Sequence, residues 1–119
     1  MFFSLPKPSK TIAPHYGQSN HALTVHLSLD AYPGSFLKVK DTMKEWSEND
    51  ILIFDDCFLH SAQNNSEKTR SVLIFSIWHP DLNYDERLAI QHVFKSRQTW
   101  LNNRFKSIEA LIGRKINQT

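Results

Sequence analysis

Two histidines, His15 and His60, each stand beside a loop and lie 45 positions apart. Imidazole is the commonest metal-binding side chain and suits iron, zinc, copper and nickel alike. Two distant histidines name no metal by themselves; they become a site only if the fold brings them together. Arg70 is a sharper signal. It opens the apolar stretch Ser71-Val72-Leu73-Ile74-Phe75, so its guanidinium starts near a core. A buried guanidinium is costly without a partner, and carboxylates match its fork bidentately. That partner is either an internal acid, Asp55 or Asp56, or an anionic ligand, and the residues alone leave both open. His26 shares the polar side of a strand with Thr24 and Ser28. That side either meets solvent or lines a cavity, as it does where a small barrel encloses a ligand. Asp55 and Asp56 end an apolar run and read as turn caps rather than ligands. His79, before Pro80, and Trp46, Trp78 and Trp100 read as packing residues.

The elements that must position these residues are mainly strands. From Ala22 to Leu29 the chain alternates, with Leu23, Val25, Leu27 and Leu29 on one face and Ala22, Thr24, His26 and Ser28 on the other. That period of two predicts a strand. Residues 1–20, with Pro6, Pro8 and Pro14, are expected to be irregular or an edge strand. Tyr32-Pro33-Gly34 predicts a turn and Phe36 to Lys40 a short strand. In the turn Ser47-Glu48-Asn49-Asp50, Asn49 is suited to a left-handed backbone. Ile51-Leu52-Ile53-Phe54 is continuously apolar, which predicts a strand buried on both faces. A polar loop, Gln63 to Thr69, leads into a strand from Ser71 to Trp78 that Pro80 stops. From about Asp85 the spacing of Leu88, Val93, Trp100, Phe105, Ile108 and Leu111 is helical, with a break expected near Ser96 or Asn102-Asn103. The expected architecture is a small β-barrel or sandwich with a C-terminal helical tail.

Composition narrows the function classes. A chain of 119 residues fits one domain. With 40% hydrophobic and 22% charged residues it is expected to be globular rather than disordered. A net charge of +2, with Lys and Arg scattered, argues against nucleic acid as a partner. The single cysteine, Cys57, excludes an internal disulfide and a Cys-rich zinc site. No apolar run approaches the roughly 18 residues that span a membrane. The start, Met1-Phe2-Phe3-Ser4-Leu5-Pro6, lacks the basic segment and long apolar stretch of a signal peptide. A reducing, cytoplasmic setting is therefore expected, and the triplets Asn64-Asn65-Ser66 and Asn117-Gln118-Thr119 read as chance rather than as glycosylation sites. The oligomeric state is not legible.

Several ordered segments together carry a resemblance. Pro14-His15-Tyr16-Gly17-Gln18-Ser19-Asn20 is followed by the strand ending His26-Leu27-Ser28-Leu29. Ile53-Phe54-Asp55-Asp56-Cys57-Phe58-Leu59-His60 comes next. Arg70 follows ten residues later and begins a strand closing with Trp78-His79-Pro80, ahead of Glu86-Arg87. Ser4 stands eleven residues before His15. From Ser4 to Arg87 the chain resembles the aspartyl/asparaginyl β-hydroxylases, Fe(II)- and 2-oxoglutarate-dependent dioxygenases; the tail from Leu88 is not covered.

The resemblance implies a double-stranded β-helix, a jelly-roll or cupin-like barrel, over residues 1–84, with residues 85–119 as a helical extension of the same domain. Catalytic domains of the family carry a longer N-terminal segment, so an N-terminally shortened core is expected. By position, His15 and His60 resemble the iron ligands, Arg70 and Ser4 the contacts to the distal carboxylate of 2-oxoglutarate, and His26 the contact to the carboxylate near the iron. Most 2-oxoglutarate oxygenases have an acidic ligand where Gly17 stands, completing a triad of two histidines and one carboxylate. This family lacks it, and a water can fill the place. The implied reaction couples oxidative decarboxylation of 2-oxoglutarate to hydroxylation of an Asp or Asn side chain in a peptide or protein. Two departures bear on it. Thr24 stands where the family usually has an arginine, and Asn49 replaces a turn glycine. The alternatives are a binding or interaction module that keeps the barrel without turnover, and a cupin-like protein using another divalent metal.

Overall fold

The computed structural model describes residues 2–4 and 9–116, with side chains described for residues 9–112. Its contacts group into two units, residues 1–80 and 81–119.

Among the described residues the first unit has eight strands: β1 (Phe2–Ser4), β2 (Lys10–His15), β3 (Ala22–Asp30), β4 (Ser35–Val39), β5 (Thr42–Glu45), β6 (Ile51–Phe54), β7 (His60–Asn64) and β8 (Ser71–Trp78). They form two four-stranded antiparallel sheets, ordered β1-β8-β3-β6 and β2-β7-β4-β5. The turns use the residues that suit them. Gly34 takes φ of 94° and Ser35 N donates to Tyr32 O at 3.2 Å; Asn49 takes φ of 63°, as expected of Asn. Pro14 lies on β2, which is an edge strand and so loses nothing by a missing donor.

Alternation places one face of each central strand between the sheets. Ser28, Val72, Ser35 and Asn64 are each 0% exposed and form the deep end of this interior. Leu37, Trp46, Ala62 and Val72 make the apolar core, with Leu52, Phe54 and Ile74 packed against it. The polar face of β3 is buried, and on its other face Val25 is buried as well. His26 and Ser28 are buried while Leu29 is exposed.

Two expectations are corrected. Ile51–Phe54 is not buried on both faces: Ile51 and Ile53 are 60% and 55% exposed, because β6 is the edge of its sheet. The polar loop begins after Asn64 rather than at Gln63, since β7 reads as polar only because its inward residues include His60 and Asn64.

Among its described residues the second unit holds one helix, α1 (Tyr84–Ile116). Glu86 N donates to Asn83 Oδ1 at 2.9 Å while Asn83 N donates to Glu86 Oε2 at 2.8 Å, a reciprocal cap of the first turn. No break occurs at Ser96 or Asn102-Asn103. The polar side chains there stay within the helix: Thr99 Oγ1 donates to Lys95 O, Gln98 Nε2 to Asn102 Oδ1 and Ser107 Oγ to Asn103 O. Among the described residues, no helix is long and apolar enough to cross a membrane.

Candidate functional site

Antiparallel pairing of β2 with β7 sets His15 opposite His60. The two rings lie 4.2 Å apart between centroids, tilted by 57°. Each is oriented in the same way. His15 Nδ1 donates to Ala13 O and His60 Nδ1 to Phe58 O, both at 2.8 Å. A carbonyl can only accept, so the proton of each neutral ring sits on Nδ1 and the lone pair on Nε2. Metal-binding histidines are held by this kind of second bond. Both rings line a cavity of about 310 Å³ between the sheets, together with Thr24, His26, Phe54 and Asp56. Among the described residues, no set of three His, Cys, Asp or Glu converges as metal ligands.

Gly17 and Asp56 occupy one another's space. Gly17 N donates to Asp56 O at 2.6 Å, and a Cβ at position 17 would collide with the Asp56 carboxyl group. Thr24 Oγ1 donates to Asp56 Oδ2 at 3.2 Å. The Asp56 carboxylate thus stands in the cavity wall where a side chain at 17 would otherwise project. Turn capping describes Asp55 alone: its Oδ1 accepts from Cys57 N at 3.0 Å, and hydrogen bonds with Cys57 hold its carboxyl below the usual range. The capping expectation for Asp56 is corrected, because a strand end at a cavity mouth turns alternate residues inward.

A run of ring contacts leads inward from the histidine pair. His60 meets Phe54 at 5.3 Å, Phe54 meets His26 edge-on at 5.0 Å, and His26 stacks on Trp46 at 5.3 Å with the planes 12° apart. The guanidinium of Arg70 lies 4.5 Å above the Trp46 ring. Arg70 does not itself line the cavity; it is reached through Trp46 and His26. Burial lowers the pKa of Arg70 to about 10. Burial, then the charges of Arg70 and His60, lowers that of His26 to about 4, so His26 is neutral at pH 7.

The polar atoms here lack partners. His26 Nδ1, Ser28 Oγ, Trp46 Nε1, and Arg70 Nε and Nη1 are all buried without a hydrogen bond among the described residues. Neither Asp55 nor Asp56 satisfies those two guanidinium atoms. Three of the five atoms are nitrogens that can only donate, and a buried donor left unpaired costs about 1–3 kcal/mol. Ser28 was legible only as a neighbour of His26 on the polar strand face, whereas Trp46 reads as packing and nothing in the sequence distinguishes it from an ordinary core residue. Ser4 lies in β1, where its backbone is opposite Val72; the expected role of its side chain lies outside the described residues.

Comparison with known proteins places the chain in a family. The profile of the Aspartyl/Asparaginyl beta-hydroxylase family matches residues 1–80. The chain is 32% identical over 90 residues to the Aspartyl/asparaginyl beta-hydroxylase of Homo sapiens, covering 74% of this chain and 12% of that protein. It is 34% identical over 94 residues to Aspartate beta-hydroxylase domain-containing protein 2 of Mus musculus, covering 76% and 27% respectively. Against Aspartate beta-hydroxylase domain-containing protein 1 of Homo sapiens the identity is 34% over 95 residues, covering 77% and 24%. The chain therefore spans between about an eighth and a quarter of the length of these relatives. Through residues 1–80, which hold His15, His26, His60 and Arg70, the chain belongs to the aspartyl/asparaginyl β-hydroxylase family.

Proposed function

We propose that the chain is the core of an Fe(II)- and 2-oxoglutarate-dependent dioxygenase that hydroxylates an Asp or Asn side chain of a peptide or protein. The strand orders β1-β8-β3-β6 and β2-β7-β4-β5 support a double-stranded β-helix, in which two four-stranded sheets enclose a ligand between them. The observation that carries the reading is the set of unpartnered buried donors around Arg70, joined through His26 to two imidazoles with free Nε2 lone pairs. An acceptor-only group such as a carboxylate answers the donors. A divalent metal answers the lone pairs, and two neutral nitrogens suit ferrous iron. When bound, iron and 2-oxoglutarate supply the oxidising chemistry, with dioxygen as co-reactant and succinate and carbon dioxide as products.

The chain's own residues hold and shield. In this reading His15 and His60 hold the metal, fixed in rotation by Ala13 O and Phe58 O. His26, neutral at pH 7, donates to the carboxylate nearer the metal, and Arg70 with Ser4 pairs with the distal one. Asp56, held by Thr24, would supply a hydrogen-bond acceptor in the wall of the same cavity. Leu37, Ala62 and Ile74 keep the cavity wall apolar and exclude bulk water.

Anaerobic titration of the protein with Fe(II) and 2-oxoglutarate is expected to give a visible metal-to-ligand charge-transfer band. H15A and H60A are expected to lose it while their metal-free melting temperature changes little. Absence of the band, with no succinate formed in air, would mean that the chain is a binding module.

A further inference from the structure

A second depression, of about 390 Å³, shares His60 and Ser61 with the first and is otherwise lined by Pro14, Lys38, Lys40, Asp41 and Leu59. Lys38 follows buried Leu37 on β4 and is exposed, so alternation sends it to the outer face. Val39 pairs with Thr42, which leaves Lys40-Asp41 as the two-residue turn of a hairpin. Such turns need a positive φ and ordinarily take Gly or Asn. Here Lys40 takes it, at φ of 51°. The turn is pinned at both ends of this lysine. Its N donates to Leu59 O at 2.8 Å, and its ammonium lies 3.6 Å from the centroid of the Phe58 ring. A residue held in a backbone conformation it disfavours, against the segment that leads into His60, calls for a role other than folding.

We propose that this depression is a docking subsite for an acidic stretch of the peptide substrate, with Lys38 and Lys40 binding carboxylates that flank the residue to be hydroxylated. Its lining carries two lysines and one acid, Asp41, so the depression favours an anionic occupant. Because it shares His60 with the first cavity, a peptide lying in it delivers its next residues to the histidine pair. The inference rests on the proposed function and names the class of substrate that the site takes.

The test uses the full chain and two short fluorescein-labelled peptides, one with its Asp flanked by Glu and the other with the same Asp flanked by Lys. Binding is read by anisotropy, with the protein loaded anaerobically with Fe(II) and 2-oxoglutarate and again without metal. The acidic peptide is expected to bind about tenfold tighter at low salt, the difference shrinking as salt is added. K38Q/K40G is expected to remove most of that preference, with the ease of glycine at positive φ offsetting the lost contact with Phe58. K38Q alone, an exposed change, is expected to cost about threefold and carries the test if the double variant fails to fold. Equal binding of the two peptides, or an undiminished preference in K38Q and K38Q/K40G, overturns the subsite. Charge preference without a charge-transfer band keeps the subsite and sinks the hydroxylase reading; the band without charge preference does the reverse.

Discussion

Two buried polar groups of residues lie at the deep end of the same interior, and they behave in opposite ways. Around Asn64 every visible demand is met: Ser35 Oγ donates to Asn64 Oδ1 at 3.0 Å, Ser66 N to the same oxygen at 3.1 Å, and Asn64 Nδ2 to Lys68 O at 2.8 Å. Around Arg70 the buried atoms of His26, Ser28, Trp46 and Arg70 find no partner within the described residues. Burial is the same in both groups, near 0–8% exposure. What differs is closure. The first group is part of the fold, tying β4 and β7 to the loop after them, and the second is complete only when something else arrives. A deeply buried polar residue is thus informative about function only once its hydrogen bonds have been counted.

The contrast can be broken most severely at Arg70. R70L is expected to weaken 2-oxoglutarate binding by at least about a hundredfold, measured from the charge-transfer band, because a charge-assisted bidentate pair is lost. The same change is expected to leave the ligand-free protein at least as stable, since it removes a buried cation with two unsatisfied donors. A melting temperature well below wild type would show that Arg70 serves the fold after all.

The next effect is in pH. His26 binds its proton near pH 4 in the folded chain against an ordinary 6.5 when unfolded. Between those values the unfolded state holds more protons, so stability is complete above about pH 6.5 and falls as the pH drops towards 4. The loss is about 3 kcal/mol at most. Denaturant titrations across this range should show the decline in wild type and most of it gone in H26Q.

On the closed side, N64L is expected to destabilise the fold by about 2 kcal/mol while leaving 2-oxoglutarate affinity per folded molecule unchanged, because Ser35 Oγ, Ser66 N and Lys68 O each lose a partner. Smallest is W46F, which keeps an aromatic ring against His26 and removes the indole donor together with part of the ring system. A loss of about fivefold in 2-oxoglutarate affinity is expected, equivalent to one hydrogen bond. No change in affinity would place Trp46 Nε1 outside the ligand's reach.

Much of this was legible in the chain itself where the residues obey a simple period. β3 and β8 alternate or run apolar, Asn49 and Gly34 mark their turns, and the ordered spacing around His15, His60 and Arg70 carries the family. The failures have physical reasons. β7 is buried yet polar, because His60 and Asn64 point inward to a cavity and a network rather than to a core. β6 is apolar yet half exposed, since its position at a sheet edge is set by long-range pairing. Asp56 was hidden because only the approach of the Gly17 backbone turns a strand-end acid into part of a cavity wall. Serine, threonine and asparagine on α1 read as a break because their capacity to bond back onto the preceding turn has no signature in hydrophobic spacing.

The shared space of Gly17 and Asp56 also constrains how this protein could change over generations. A carboxylate supplied from position 17 is one nucleotide change away from some glycine codons, yet G17D alone would drive its new side chain into Asp56. Asp56 must swing aside to admit it, giving up its hydrogen bond from Thr24 Oγ1, and D56A by itself also strands that hydroxyl. The two positions therefore form a valley with a disfavoured intermediate on either side. A lineage that carries the acid at position 56 is held there by the cost of either single change.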